Sequence, residues 1–103
     1  MRFGLKENII NQINSVFEKS KCVEKVIIYG SRAKGNYKPN SDIDLTLIGK
    51  KINLQELNKI DLLLDDLLFP WIFDLSIYHY IHNPALIEHI NRKGKVLFSV
   101  KNK

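Results

Sequence analysis

The sequence predicts an α+β (α/β) fold: a mixed β-sheet with helices packed on one face and a second face that stays partly open. Two segments alternate apolar and polar residues, three repeat apolar residues at helical spacing, and one short run is β-branched. The chain has 103 residues, of which 45% are hydrophobic and 26% are charged. This size and composition are typical of one folded domain, so we expect a single domain over residues 1–103.

The first elements along the chain are a helix and a strand. Apolar residues recur at helical spacing over residues 9–17, with polar residues between them, which predicts an amphipathic helix. Residues 26–29 form a β-branched run that ends at Gly30, which is typical of a buried strand. The stretch 31–41 is polar and contains Gly, Pro and Asn, so we expect a turn-rich loop there.

Two later segments have the period of a half-buried strand. Residues 42–48 place Ile and Leu on one face, and Asp42 and Asp44 on the other. Residues 71–77 repeat this alternation, with Asp74 on the polar face. We therefore expect two strands whose polar faces carry the same chemistry.

The remaining segments predict two helices and a last strand. Leucine-rich residues 54–68 have helical spacing and are stopped by Pro70. Asn83 suits the N-cap of a third helix that ends before Gly94, and residues 95–100 can form a short strand.

The three aspartates of the strands are candidate metal ligands. Asp42 and Asp44 project from one face and repel each other unless a cation lies between them, although a solvated acidic strand exterior is the simpler interpretation. Asp74 lies among apolar residues, where a lone carboxylate is costly to desolvate, so we expect it to have a cationic partner. If the two strands are neighbours, the carboxylates converge as ligands for two hard divalent ions.

A candidate phosphate-binding turn follows the first strand. Gly30 allows a sharp turn that leaves its amide and that of Ser31 available to an anion, while Arg32 and Lys34 add positive charge. An ordinary turn would also explain a Gly-Ser pair. A Walker A loop is excluded, because Asn36 stands where that motif requires lysine.

Together these features form a fixed-spacing pattern: Gly30-Ser31, ten intervening residues, then Asp42-Ile43-Asp44. The pattern resembles that of the nucleotidyltransferase superfamily typified by DNA polymerase beta, and the short chain is similar to its minimal bacterial members. This resemblance covers essentially the whole chain. It implies that Gly30 and Ser31 hold a nucleotide triphosphate, that Asp42 and Asp44 bind magnesium, and that Asp74 is, by position, the third acid of the site.

The resemblance also implies an activity and a partner. Minimal members are paired with small all-helical HEPN toxins, and as antitoxins they add AMP to a toxin tyrosine. We therefore expect catalytic Asp42, Asp44 and Asp74 with two Mg²⁺ ions, ATP as substrate, and a HEPN-type partner in a hetero-oligomer. Arg32 or Lys34 would offset the charge of the departing pyrophosphate. The alternatives are transfer to a small molecule held by a separate acceptor-binding subunit, or a non-catalytic binding antitoxin.

Charge and apolar patterning bear on location and partners. The net charge is +5, yet residues 1–41 carry +5, residues 42–74 carry −4 and residues 75–103 carry +4. This distribution suits a triphosphate better than a nucleic-acid backbone, so we expect no direct nucleic-acid binding. No apolar run is long enough to span a membrane, and the single Cys22 suits a reducing cytoplasm, so we expect a cytoplasmic protein.

Several other residues have competing interpretations. Tyr29 and Trp71 are better explained as core aromatics than as base-stacking platforms. Leu62 and Leu63 exceed what one helical face needs, which indicates either a partner-facing surface or deeper burial. The three histidines lack the Cys or carboxylate companions of a zinc site.

Overall fold

A computed structural model of the chain describes residues 1–100. Its four strands form one sheet in the order β3-β2-β1-β4. The strands are β1 (Lys25–Tyr29), β2 (Ile43–Ile48), β3 (Phe73–Ile77) and β4 (Lys95–Ser99). The helices are α1 (Glu7–Glu18), α2 (Ser31–Lys34), α3 (Leu54–Asp65) and α4 (Pro84–Lys93), with a single 3₁₀ turn over Tyr78–Tyr80.

The sheet is mixed, as predicted. Strand β1 pairs antiparallel with β2 and β4, whereas β2 pairs parallel with β3. A parallel pair needs a crossover connection, and α3 supplies it between β2 and β3. The carboxyl-terminal end of β1 therefore lies beside the amino-terminal ends of β2 and β3.

The first face of the sheet carries the hydrophobic core. Ile43, Leu45 and Leu47 on β2 are completely buried, as the alternation of that strand predicts. Helices α1 and α3 pack against each other on this face, and their apolar sides complete one continuous core. Ile10, Ile13, Phe17, Ile60 and Leu64 are the helical residues buried most deeply in it.

The second face is only partly covered. Helix α4 lies over β1, as two contacts show. A Cβ on Gly94 would overlap the Ile27 side chain, and the His89 ring contacts the Tyr29 ring edge-on at 6.3 Å between centroids. On the neighbouring strand β2, Thr46 is fully buried and accepts a hydrogen bond from Ser76 at 2.9 Å. Beyond it the face is open over the starts of β2 and β3.

Some element boundaries differ from the sequence prediction. A short helix, α2, replaces the beginning of the predicted loop, and α3 ends at Asp65 instead of continuing to residue 68. Leu68 adopts a left-handed backbone with φ of 59° and is 86% exposed, so it cannot face the core as the helical pattern predicted. Within residues 1–100, no helix is both long and apolar enough to cross a bilayer.

Candidate active site

Gly30 forms the sharp turn between β1 and α2. Its φ of 77° and ψ of −154° lie in a region that only glycine adopts readily. A Cβ at this position would overlap the carboxylate of Asp44. Glycine is therefore required both by the backbone conformation and by the close approach of the turn to that carboxylate.

The two acidic strands are neighbours, which is the arrangement that convergence of their carboxylates requires. In the parallel ladder, Asp44 is the register partner of Asp74, and paired strands lie about 4.8 Å apart. Asp42 immediately precedes β2 and lies two residues from Asp44. The acids thus share the open end of the second face with Gly30.

The burial that the apolar neighbours of Asp74 predict is wrong, whereas its cationic partner, a bound metal ion, stays a prediction. Asp74 is exposed, and none of the ion pairs found in residues 1–100 involves it. The reason is topological: β3 is an edge strand, and α4 covers the second face over β1 instead. Water therefore solvates this carboxylate, and the desolvation cost that the sequence suggested does not arise.

The charges of the acids act on one another. Burial raises the pKa of the half-buried Asp44 carboxyl, and the negative charges of Asp74 and Asp42 raise it further. Burial also raises the pKa of the Tyr29 phenol; the Ser76 hydroxyl opposes that shift, and Asp74 and Asp44 add to it. The site is therefore electronegative and favours a bound cation.

Oxygen donors in a repulsive cluster beside an open turn fit the requirements of Mg²⁺, which takes few carboxylates and completes its shell with water and phosphate oxygens. As the side chains stand, no group of three or more His, Cys, Asp or Glu residues within the described part of the chain is placed to hold a metal ion by itself. The residues fit an open site on a sheet face, completed by substrate oxygens.

The basic residues of the turn have separate positions. Lys34 and Lys38 are exposed, and Ser31 is half-buried. Arg32, by contrast, is 2% exposed, and its guanidinium donates to the carbonyls of Phe3, Pro39 and Ser41. Its donors are thus directed at the protein backbone, so we no longer assign Arg32 to the triphosphate.

Sequence reasoning missed the aromatic residues around Arg32. Its guanidinium carbon lies 5.4 Å from the ring centroid of Tyr37 and 5.5 Å from that of Trp71. Trp71 also donates its indole N–H to the Pro39 carbonyl at 2.8 Å. Trp71 packs at the core margin, as expected, but its polar edge holds the loop before Asp42. An aromatic residue just before a strand gives no sequence signal for such a bond.

A glycine turn beside paired carboxylates on the open face of a mixed α+β sheet defines a nucleotidyltransferase type of site. The family model described as polymerase beta, nucleotidyltransferase matches residues 11–103. The chain therefore belongs to this family, and its fold is the polymerase beta-like nucleotidyltransferase fold. None of the curated proteins matches the chain.

Solved structures show the same fold. A toxin–antitoxin crystallised with AMP-PNP superposes with a TM-score of 0.71 at 19% identity, covering 89% of this chain and 74% of the other. The complex of a tri-AMPylated Shewanella oneidensis HEPN toxin with an MNT antitoxin gives a TM-score of 0.67 at 15% identity, covering 94% of this chain and 75% of the other. A putative nucleotidyltransferase from Sulfolobus solfataricus gives a TM-score of 0.55 at 17% identity, covering 90% of this chain and 78% of the other. At these sequence identities the structural similarity establishes the fold alone.

Proposed function

We propose that this nucleotidyltransferase is a Mg²⁺-dependent protein adenylyltransferase, which moves AMP from ATP to a tyrosine hydroxyl of a HEPN-type toxin and acts as its antitoxin. The observation that carries the proposal is the register pairing of Asp44 with Asp74 beside a glycine turn that approaches Asp44 too closely for any side chain. A turn backbone that can bind anions beside carboxylates that can bind cations is the combination that a metal-bound triphosphate needs, and this supports the proposal.

The reaction assigns a task to each group. The acceptor oxygen attacks the α-phosphorus of ATP, the bond from that phosphorus to the bridging oxygen breaks, and pyrophosphate leaves. Asp74, which is exposed beside Asp44, takes the acceptor's proton. The amides of Gly30 and Ser31 hold the triphosphate, and Lys34 offsets charge on the departing pyrophosphate. Mg²⁺ held by Asp42, Asp44 and Asp74 would neutralise phosphate charge and lower the pKa of the acceptor.

The protein acceptor is the finer part of the proposal. Structural similarity to an MNT antitoxin bound to a tri-AMPylated HEPN toxin supports it. So does the surface, since Leu62, Leu63, Leu68 and Ile72 are exposed apolar residues in α3 and in the connection from α3 to β3. Exposed apolar side chains of this number favour contact with another protein.

The test combines the purified chain with the HEPN protein encoded beside it, ATP and Mg²⁺, followed by intact mass spectrometry. We expect the partner to gain mass in whole AMP units, and Asp42→Asn or Asp44→Asn to abolish the gain. Growth rescue of toxin-expressing cells should fail with the same variants. Rescue without AMP transfer, unchanged by either substitution, would instead identify a binding antitoxin.

A further inference from the structure

The side chain of Arg32 is a buried cation that forms no ion pair in the described part of the chain; burial lowers the pKa of its guanidinium, and the charges of Tyr37 and Asp42 oppose that shift. It is 2% exposed, and none of the ion pairs found among residues 1–100 includes it. Its neighbours are the rings of Tyr37 and Trp71 and three backbone carbonyls. Burying a guanidinium is costly, and an apolar side chain of similar volume would fill the space at lower cost. Packing alone therefore does not explain an arginine at this position.

The hydrogen bonds of Arg32 join segments that are distant in sequence. Nε and Nη2 both donate to the Ser41 carbonyl, at 3.1 and 2.9 Å. Nη2 also donates to the Pro39 carbonyl at 3.2 Å, and Nη1 donates to the Phe3 carbonyl at 2.9 Å. Three of these four contacts fix both the position and the orientation of the loop before β2, and the fourth holds the Phe3 carbonyl against the same planar group.

Two of the joined segments, α2 and the loop before β2, are next to residues of the candidate site. Ser41 directly precedes Asp42, and Arg32 itself follows Ser31. Trp71, whose indole shares the Pro39 carbonyl with Arg32, lies three residues before Asp74. One buried guanidinium thus connects the phosphate-binding turn with the approaches to two of the acids.

We propose that Arg32 is a positioning residue that fixes Asp42 for divalent-cation binding, through the carbonyls of Ser41 and Pro39, and does not contact the nucleotide. This inference rests on the proposed function for the role of Asp42 as a metal ligand. The planar fork is essential to it, because lysine keeps the charge but can neither grip the Ser41 carbonyl through two nitrogens nor stack between two rings. Arg32→Lys is therefore the informative substitution.

The test measures cation binding and loop protection without requiring turnover. Mn²⁺ binding to the wild-type chain and to Arg32→Lys is followed by electron paramagnetic resonance, and amide exchange of residues 36–42 by mass spectrometry. We expect the Mn²⁺ dissociation constant to rise at least tenfold and loop exchange to accelerate at least tenfold in the variant. Arg92→Lys, an exposed arginine in α4 that is paired with Glu88, is the matched control and should change neither quantity.

A second variant guards against misfolding of the first. Trp71→Phe removes the indole bond to the Pro39 carbonyl but keeps an aromatic ring beside Arg32. We expect the same two changes at about threefold, with cooperative thermal unfolding retained. If the loop only stabilised the fold and did not position Asp42, its exchange would accelerate without a change in Mn²⁺ affinity, so the paired change distinguishes positioning from general stability.

Two results would overturn the inference. The first is unchanged Mn²⁺ affinity in Arg32→Lys together with a raised KM for ATP, which would place the guanidinium on the triphosphate. The second is a wild-type chain that binds no Mn²⁺. Failure of the proposed function can be distinguished from failure of this inference. If the wild-type chain transfers no AMP but Arg32→Lys still lowers its Mn²⁺ affinity, the proposed function fails and the positioning role of Arg32 stands.

Discussion

At the scale of single residues, the glycines at the two ends of α2 allow the effect of backbone strain to be measured apart from the effect of the site geometry. Gly30 and Gly35 both have positive φ, at 77° and 92°. A Cβ on Gly30 would overlap the carboxylate of Asp44, whereas a Cβ on Gly35 would meet no heavy atom within 4 Å. The two positions therefore share the conformational requirement and differ in what lies beside them.

Gly30→Ala should lower stability and abolish AMP transfer, whereas Gly35→Ala should lower stability alone. Left-handed strain costs about 1–2 kcal/mol at Gly35 and about 1–3 kcal/mol at Gly30. Only the first substitution displaces Asp44, so we expect its transfer rate to fall at least tenfold. Urea unfolding and AMP-transfer assays on both variants test this. Equal loss of transfer in the two variants would show that the turn conformation, and not the approach to Asp44, governs activity.

Asp44→Asn should stabilise the metal-free chain while abolishing transfer. Asp44 is half-buried beside Asp74, and like charges at register partners destabilise a sheet by about 0.2–1 kcal/mol. Removing one charge relieves this repulsion, so the free energy of unfolding should increase by about that amount in buffer containing a chelator. Urea denaturation measures it. A less stable Asp44→Asn would mean that the acids do not repel each other in the metal-free fold.

Added Mg²⁺ should reverse the order of stability. A cation that binds only the folded state raises its stability, so the wild-type chain should gain thermal stability with Mg²⁺ and Asp44→Asn should not. Asp61→Asn is the matched control: Asp61 lies on α3, where Asp65 is its like-charged neighbour one turn away, so its loss also relieves repulsion. That variant should respond to Mg²⁺ as the wild type does. Thermal scans with and without Mg²⁺ distinguish the three proteins.

At the scale of elements, α4 closes the covered part of the second face. It begins as the sequence predicts, with the Asn83 carboxamide oxygen accepting from the backbone amides of Ala85 and Leu86 at 2.9 and 3.4 Å and with Pro84 in the first turn. It lies over Tyr29 through His89, on the opposite side of β1 from the main core. We therefore expect α4 to contribute to the stability of the fold and not to the geometry of the three aspartates.

Asn83→Ala should reduce the free energy of unfolding by about 1 kcal/mol, because two helix amides lose their acceptor. AMP transfer under conditions where the chain is folded should be unchanged. Asn58→Ala is the control, since Asn58 is exposed within α3 and alanine is the better helix former there, giving a slight increase in stability. Chemical denaturation of both variants tests the difference, and a similar loss at Asn58 would exclude capping as its cause.

The elements that the sequence predicts well are those with a long or regular pattern. The alternation in β2 and β3 indicates both the buried faces and the shared polar face, and the caps indicate α4. Helix α2 was missed because four residues are too few for a helical period and the surrounding Gly, Pro and Asn favour a turn. Leu68 continues the apolar spacing of α3, yet the chain turns left-handed there.

The burial of Arg32 and the exposure of Asp74 could not be predicted from the sequence, for a different reason. Arginine is mostly a surface residue, and the carbonyls that bind Arg32 have no signature because every residue has one. For Asp74, apolar neighbours suggested burial, but exposure depends on which strand lies at the edge and where α4 packs. Both properties are set by topology, which local patterns do not encode.

At the scale of the whole molecule, charge and apolar surface occupy different regions. The carboxylates of β2 and β3 lie at the open end of the second face beside Gly30, and the segment after Gly30 carries the exposed Lys34 and Lys38. Exposed apolar side chains cluster in sequence between Leu62 and Ile72, which leads from α3 to the edge strand β3. A partner bound there would have access to the edge strand that carries Asp74.

Leu68→Gly should stabilise the isolated chain and weaken its complex with the proposed HEPN partner. Leu68 combines φ of 59° with 86% exposure, so leucine is unfavourable there on both counts. Glycine relieves about 1–2 kcal/mol of strain and costs about 0.5–1 kcal/mol of backbone entropy, which leaves a net gain of about 0.5 kcal/mol. The partner would lose an apolar contact, and we expect its affinity to fall several-fold.

Two controls accompany this prediction. One distinguishes loss of an apolar side chain from relief of backbone strain, and the other tests which edge of the sheet the partner binds. Leu62→Ala removes an exposed leucine from α3 without altering a strained residue, so it should weaken the complex without the gain in stability. Val96→Ala removes an exposed apolar side chain from β4, at the opposite edge of the sheet, and should leave affinity unchanged. Calorimetric titration with the partner and urea unfolding of each variant provide the measurements. If Val96→Ala weakens the complex and Leu68→Gly does not, the partner binds the β4 edge instead.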